Sequence, residues 1–156
     1  QVKYANHNLG KSINDQIIQH DLSKGLPSTL SGKFDVILCQ NILYYIKRQN
    51  MINLLKSLRG FINKKYILFV SCRALGGWCF GKGSEIERNG FIIDRHETGE
   101  HGLLNIFYTP YEMKDMINLY IGESSDVVML NTVYENIENE KLISNNDFIL
   151  YGMFES

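Results

Sequence analysis

The chain has 156 residues, 18.0 kDa, 44% hydrophobic and 21% charged. That is one ordinary globular domain with enough chain to bury a core, and it excludes a disordered, collagen-like or coiled-coil main state. Net charge is −1, yet residues 1–78 carry 11 Lys and Arg against 3 Asp and Glu, and residues 79–156 carry 5 against 14. The expected reading is that the two halves neutralise each other when folded together; the alternative is a nucleic-acid or other acidic partner for the basic half. No apolar run is long enough to span a bilayer, and no N-terminal apolar signal segment is visible. Residue 1 is Gln rather than Met, which reads as a processed form or a fragment.

Lys3 to Gly10 reads as the end of a helix stopped by Gly10. Asp15 to His20 reads as a short strand, followed by a loop from Asp21 to Lys33 that contains Gly25, Pro27 and Gly32. Phe34 to Gln40 (FDVILCQ) is a nearly continuous apolar run, the pattern of a parallel strand covered on both faces. Asn50 to Phe61 reads as a helix, with Ile52, Leu55 and Leu58 forming a stripe flanked by Met51, Leu54 and Ile62. Tyr66 to Cys72 reads as a second buried strand, completing a βαβ unit with a right-handed crossover.

Ala74 to Gly90 is Gly-rich and aperiodic, so a loop or lid is expected. Phe91 to Tyr108 holds two short strands around the polar turn Glu97 to Gly102. Thr109-Pro-Tyr-Glu112 is a capping box with Pro at the first helical position, and Met113, Met116, Ile117 and Tyr120 make the apolar face of the helix it opens. Asp126 to Tyr134 and Phe148 to Phe154 read as a closing antiparallel pair joined by the polar segment Glu135 to Asp147. Cys39, Cys72 and Cys79 lack the spacing of a zinc or redox site and read as reduced core thiols of a cytoplasmic protein.

Taken in order, IIQHDL (17–22), Leu26-Pro27, FDVILCQNILYYI (34–46), the Leu54/Leu55/Leu58 helix, KKYILFVS and TPYEM resemble the class I S-adenosylmethionine-dependent methyltransferases. CQNILYYI is similar to the C-R-N-hydrophobic-x-x-Y-F pattern of chemotaxis-receptor methyltransferases, with Gln40 in place of Arg. The second half has no further likeness to that subgroup, and its protein substrate is not carried over. The resemblance implies an α/β, Rossmann-like three-layer sandwich with a mostly parallel sheet and an antiparallel C-terminal strand pair. It implies one domain over 1–156, N-terminally incomplete, with residues 74–108 as a lid or substrate-loop region. The family's G-x-G-x-G turn and ribose-binding acidic residue have no counterpart here; GKG at 81–83 does not follow a strand or open a helix. Either a further N-terminal segment or a partner chain supplies them, or cofactor binding is compromised.

The resemblance assigns S-adenosylmethionine as cofactor, with Asp21, Leu22, Cys39, Gln40, Asn41 and Tyr44 beside it. Asp21 would accept from the adenine amino group, or else cap a loop. Gln40 and Asn41 would meet the cofactor's amino-acid part, or else form a polar turn. Arg73, Trp78 and Tyr45 are candidate acceptor contacts, Phe80 joining Trp78 in the wall of the pocket and Arg73 selecting a carboxylate or phosphate. Their alternative is a surface Arg and lid aromatics packed on the core.

HETGEH (96–101) differs from the zincin H-E-x-x-H by one extra residue, which would set the two His about 140° apart on a helix. No metal is expected. His96 or His101 is instead a candidate general base or substrate contact in a loop, the alternative being a solvated turn. The overall expectation is methyl transfer to a small-molecule acceptor. The alternatives are a non-catalytic α/β subunit working through a partner chain and, more weakly, a nucleic-acid-binding module.

Overall fold

The computed structural model describes residues 18–156. The expected helix at Lys3 to Gly10 and the start of the strand expected at Asp15 to His20 lie outside the described residues. The remainder of that strand, Ile18 to His20, is irregular rather than paired. It leads into a single 3₁₀ turn, Leu22–Lys24.

The main sheet has strands β1 (Phe34–Gln40), β2 (Ile62–Arg73), β6 (Glu123–Glu138) and β7 (Lys141–Glu155), in the order β1-β2-β7-β6. β1 and β2 are parallel, and helix α1 (Arg48–Leu58) connects them. The pairs β2–β7 and β6–β7 are antiparallel. The described sheet is thus mixed rather than mostly parallel, and the closing hairpin makes it so.

That hairpin is much longer than its apolar cores suggest. Residues 135–147, expected as a polar connection, continue both strands to a turn at Asn139 and Glu140, both at positive φ (48° and 64°). Two positive-φ residues match the right-handed twist of a two-residue hairpin, and Asn accepts that conformation more readily than most residues. Near the hairpin's other end β6 has an irregularity between Ser124 and Asp126. There its backbone presses on Gly152, where a Cβ would come within 2.0 Å of the Asp126 carbonyl oxygen.

The alternation along β2 sorts its side chains by face. Tyr66, Leu68, Val70 and Cys72 are all buried, and they pack with Met51, Leu54 and Leu55 of α1. Helix α2 (Pro110–Tyr120) adds Met113 and Ile117, and β7 adds Phe148, Leu150 and Phe154. The buried stripe of α1 is centred on Met51, Leu54 and Leu55; Ile52 stands at its margin. Each fully buried Leu, Ile or Phe removes enough apolar area to contribute roughly 1.5–3 kcal/mol, which is why this face is the core.

The opposite face differs from expectation. Leu38, Val36, Ile67, Leu130 and Met153 are exposed, Leu38 to 71%. Among the described residues, helices cover one face of the sheet only, and β1 is not enclosed on both sides. The three-layer arrangement is therefore not completed by residues 18–156.

The region 74–108 is more ordered than a lid loop. β3 (Gly83–Glu87), β4 (Gly90–Ile93) and β5 (Leu104–Ile106) form a small antiparallel sheet. The two short strands around the polar turn are borne out as β4 and β5; β3 was not foreseen. Cys79, Phe91, Ile93 and Phe107 make a second small core beneath it.

The start of α2 follows the expected chemistry. Thr109 Oγ1 accepts from the Glu112 N–H at 3.1 Å, and Pro110 stands first in the helix. The Glu112 carboxylate pairs at 2.7 Å with Arg48 at the start of α1. Arg48 also faces Glu87 on β3 and lies 4.7 Å above the Tyr108 ring. One guanidinium thereby ties both helices to the small sheet.

Candidate active site

The carboxyl ends of β1 and β2 meet at one rim, the position where open α/β sheets bind ligands. β1 ends on Gln40, and Asn41 follows with φ of 52°. Asn is the non-glycine residue best suited to this left-handed conformation. Ser71 on β2, 6% exposed, holds it there. The Ser71 hydroxyl donates to Asn41 Oδ1 at 2.8 Å and accepts from the Asn41 N–H at 2.9 Å. Both Gln40 and Asn41 are exposed at the strand end.

The other expected cofactor residues divide. Asp21 is exposed and caps the 3₁₀ turn, accepting from the Ser23 N–H at 3.0 Å. Those Ser23 hydrogen bonds hold its carboxyl below the ordinary range, so it is an anionic acceptor at neutral pH. Leu22 and Cys39 pack against the core instead. Burial pushes the Cys39 thiol up to about 11, keeping it protonated. Tyr44 is buried at 5% exposure, its ring beneath the Arg73 guanidinium at 4.9 Å.

Arg73, at the end of β2, lies in a cleft of about 360 Å³ with Tyr45, Cys79, Thr98, Glu100, Tyr134 and Asn145 among its walls. Arg73 Nη2 donates to Glu100 Oε1, and Tyr45 Oη donates to the same oxygen at 3.1 Å. Cys79 Sγ lies 3.6 Å from Glu100 Oε2. Burial opposes the charge on Arg73, but Glu100 and Tyr44 more than offset it, so the guanidinium stays protonated. Burial raises the Tyr45 phenol as well, so Tyr45 serves as a hydrogen-bond donor. On the sheet side, Tyr134 Oη donates to Asp147 at 3.2 Å. Burial raises the Asp147 carboxyl, with Arg73 and Tyr134 acting against that rise.

Arg73 and Tyr45 are thus brought together as expected. Trp78 and Phe80 are not part of this cleft. Trp78 packs on the second core with Lys82 Nζ 3.1 Å above its ring, and Phe80 lies edge-on to Phe91 and Phe107. His96 and His101 are exposed and stack on each other at 3.7 Å in the loop between β4 and β5. Neither lines the Arg73 cleft; His96 borders a separate surface depression with Glu97 and Lys141. From the HETGEH segment Thr98, Gly99 and Glu100 line the cleft, and Glu100 is the one whose side chain bonds Arg73.

Glu100, Ser71, Tyr134 and Asp147 were not singled out from the sequence, and Cys79 reads there only as a core thiol. Ser71 is a polar residue between the core-facing Val70 and Cys72 of an apolar strand, an available hint. Tyr134, bonded to Asp147, reaches the cleft through the long hairpin, which apolar patterning did not reveal.

No protein-family model matches the sequence, and no curated protein matches it significantly. Solved structures do. A SAM-dependent methyltransferase from Methanosarcina mazei superposes with a TM-score of 0.58 at 16% identity, over 87% of this chain and 66% of its own. A Bacillus halodurans protein classed by inference as a methyltransferase gives 0.59 at 9% identity, over 99% of this chain and 78% of its own. An S-adenosylmethionine-dependent methyltransferase from Clostridium acetobutylicum gives 0.50 at 14% identity, over 91% and 66%. The chain spans about two thirds of the length of the first and third of these. The shared feature is architecture: this chain has an α/β, Rossmann-like fold of the class I SAM-dependent methyltransferase kind.

Proposed function

We propose that the chain carries out methyl transfer from S-adenosylmethionine to a small-molecule acceptor held in the Arg73 cleft. The observation that carries this reading is the rim where β1 and β2 end together. There a Ser71-locked Asn41 presents polar groups next to a cleft walled by residues 74–108 and the β6–β7 hairpin. The solved structures of the same architecture support it, two of them described as SAM-dependent methyltransferases.

The residues at the rim fit part of the cofactor. Asp21 offers an anionic acceptor suited to an amino group of the adenine, and the Gln40 and Asn41 amides suit an amino-acid moiety. The sequence contains no G-x-G-x-G turn, so the adenosine side draws on groups beyond these. The bound cofactor would supply an electrophilic methyl on a sulfonium. The chain's own part is positioning: Asn41 and Gln40 orient the donor, and Arg73 with Tyr45 orients the acceptor. Residues 74–108 serve as the substrate-side wall, and His96 or His101 would serve as general base only if the β4–β5 loop turned them inward.

Isothermal titration of the full-length gene product with S-adenosylhomocysteine tests this reading. Saturable binding with 1:1 stoichiometry is expected. Absence of both heat and a thermal shift at millimolar ligand would overturn it.

A further inference from the structure

Three donors in the Arg73 cleft converge on the two oxygens of one carboxylate, and that carboxylate belongs to the chain itself. Arg73 Nη2 and Tyr45 Oη both donate to Glu100 Oε1, and the Cys79 thiol faces Oε2. The arrangement is largely enclosed, with the Arg73 and Glu100 side chains each 14% exposed. It is also incomplete: Arg73 Nε is buried without a hydrogen-bond partner. A guanidinium prefers to meet a carboxylate through two parallel N–H donors, and here Glu100 leaves one donor unused.

Glu100 reaches the cleft from the loop between β4 and β5, whose other side chains face solvent in part. Gly99 precedes it and Gly102, with φ of 78°, lies two residues beyond. The loop is held to the hairpin tip by contacts that do not involve Glu100, a Lys141–Glu97 ion pair and an Asn139 side-chain bond to the Glu97 carbonyl. Glu100 can therefore leave while the base of the loop stays attached.

We propose that this cluster is a receptor for a carboxylate on the ligand of the cleft, and that Glu100 occupies it as a tethered stand-in. On the methyl-transfer reading above, on which this assignment of the ligand rests, the ligand is the methyl acceptor and the carboxylate is its anchor rather than its reacting group. Exchanging the Glu100 carboxylate for a ligand carboxylate leaves the charge of the cleft unchanged. A phosphate would add negative charge beside Asp147 and Glu138, so the balance favours a carboxylate. Tyr45, Tyr134 and Leu103 along the walls suit a flat or apolar body attached to it.

A tethered carboxylate competes at an effective concentration on the order of millimolar, so it masks weak ligands. The probes are benzoate, its uncharged isostere benzamide and inorganic phosphate, each titrated calorimetrically into the parent protein and Glu100→Gln. Benzoate is expected to bind Glu100→Gln at least tenfold more tightly than the parent, with benzamide and phosphate at least tenfold weaker than benzoate. Tyr45→Phe, which removes one donor of the cluster, should weaken benzoate about threefold. If Glu100→Gln does not fold, Glu100→Asp retains the charge on a shorter arm and should still tighten benzoate about threefold.

Equal benzoate affinity in parent and Glu100 variants, or benzamide binding as well as benzoate, overturns the proposal. Phosphate binding ahead of benzoate does the same. Titration of the same proteins with S-adenosylhomocysteine separates the two readings. Cofactor binding without benzoate binding overturns the carboxylate receptor alone. Benzoate binding without cofactor binding overturns the methyl-transfer reading alone.

Discussion

Replacing Ser71 by Ala removes the lock on the strand end while leaving the fold's packing in place. Two hydrogen bonds are lost, at 2.8 and 2.9 Å. Each such bond is worth about 1 kcal/mol net. The Asn41 N–H keeps a longer bond to the Ser71 carbonyl at 3.3 Å, and the exposed Asn41 carboxamide is rehydrated. The expected loss is therefore roughly 1–2 kcal/mol, a midpoint shift of about 3–6 °C for a chain of this size. Asn41→Gly keeps the backbone at ease at φ 52° but removes the carboxamide, so the double variant should show a coupling of about 0.5–1 kcal/mol. Urea unfolding followed by far-UV circular dichroism measures this, with an unchanged m-value marking an intact native state. The same Ser71→Ala protein should bind S-adenosylhomocysteine about three- to tenfold more weakly. Strictly additive single variants, or full cofactor affinity in Ser71→Ala, would show that Ser71 does not position Asn41 for the ligand.

Arg48→Ala should cost about 2 kcal/mol, since it breaks a charge-assisted bond to Glu112 and a cation–π contact with Tyr108 at a partly exposed site. Urea unfolding of that variant reads the loss, and Arg48→Lys should recover only part of it. Burial raises all three thiols above their ordinary value, so iodoacetamide at pH 8 should leave Cys39, Cys72 and Cys79 unmodified in the native protein. Mass spectrometry should find three alkylations after unfolding in guanidinium. Asp147 has a raised carboxyl in the folded state, so its charge opposes folding above the folded value and the opposition vanishes below the unfolded one. Asp147→Asn should therefore raise the melting temperature relative to the parent at pH 7, and the gain should fade as pH falls below the ordinary carboxyl range.

How much of this was legible beforehand follows from which forces act locally. β1 was read with its observed bounds because FDVILCQ is flanked by Gly32 and by the polar Gln40-Asn41. The start of α2 was read from Thr109, Pro110 and Glu112, whose capping chemistry lies within four residues. β3 was missed because Gly83, Glu85 and Glu87 pair through backbone bonds to β4 and need no apolar pattern. The polar reach of the hairpin was missed for the same reason: Glu135 to Asp147 is held by a ladder of main-chain bonds and a two-residue turn.

The site divides along the same line. Asn41 and Arg73 stand where two recognised strands end, so their neighbourhood was readable. Glu100 converges on Arg73 from 27 residues away through a loop, a distance over which local pattern carries no signal. The HETGEH segment drew attention to its histidines because imidazoles titrate usefully, whereas the fold turns its second glutamate inward and leaves both rings in solvent.

The reading of this chain as a methyl-transfer fold stands on the rim at Gln40, Asn41 and Ser71 receiving the cofactor. Amide chemical-shift mapping of the full-length protein during titration with S-adenosylhomocysteine tests it most directly. Saturable shifts are expected at Asp21 to Ser23, Gln40 to Ile42 and Ser71 to Arg73, with the far end of the sheet around Glu123 and Glu155 unmoved. No shifts at saturating ligand, or shifts centred on the hairpin tip at Asn139 and Lys141, would contradict it.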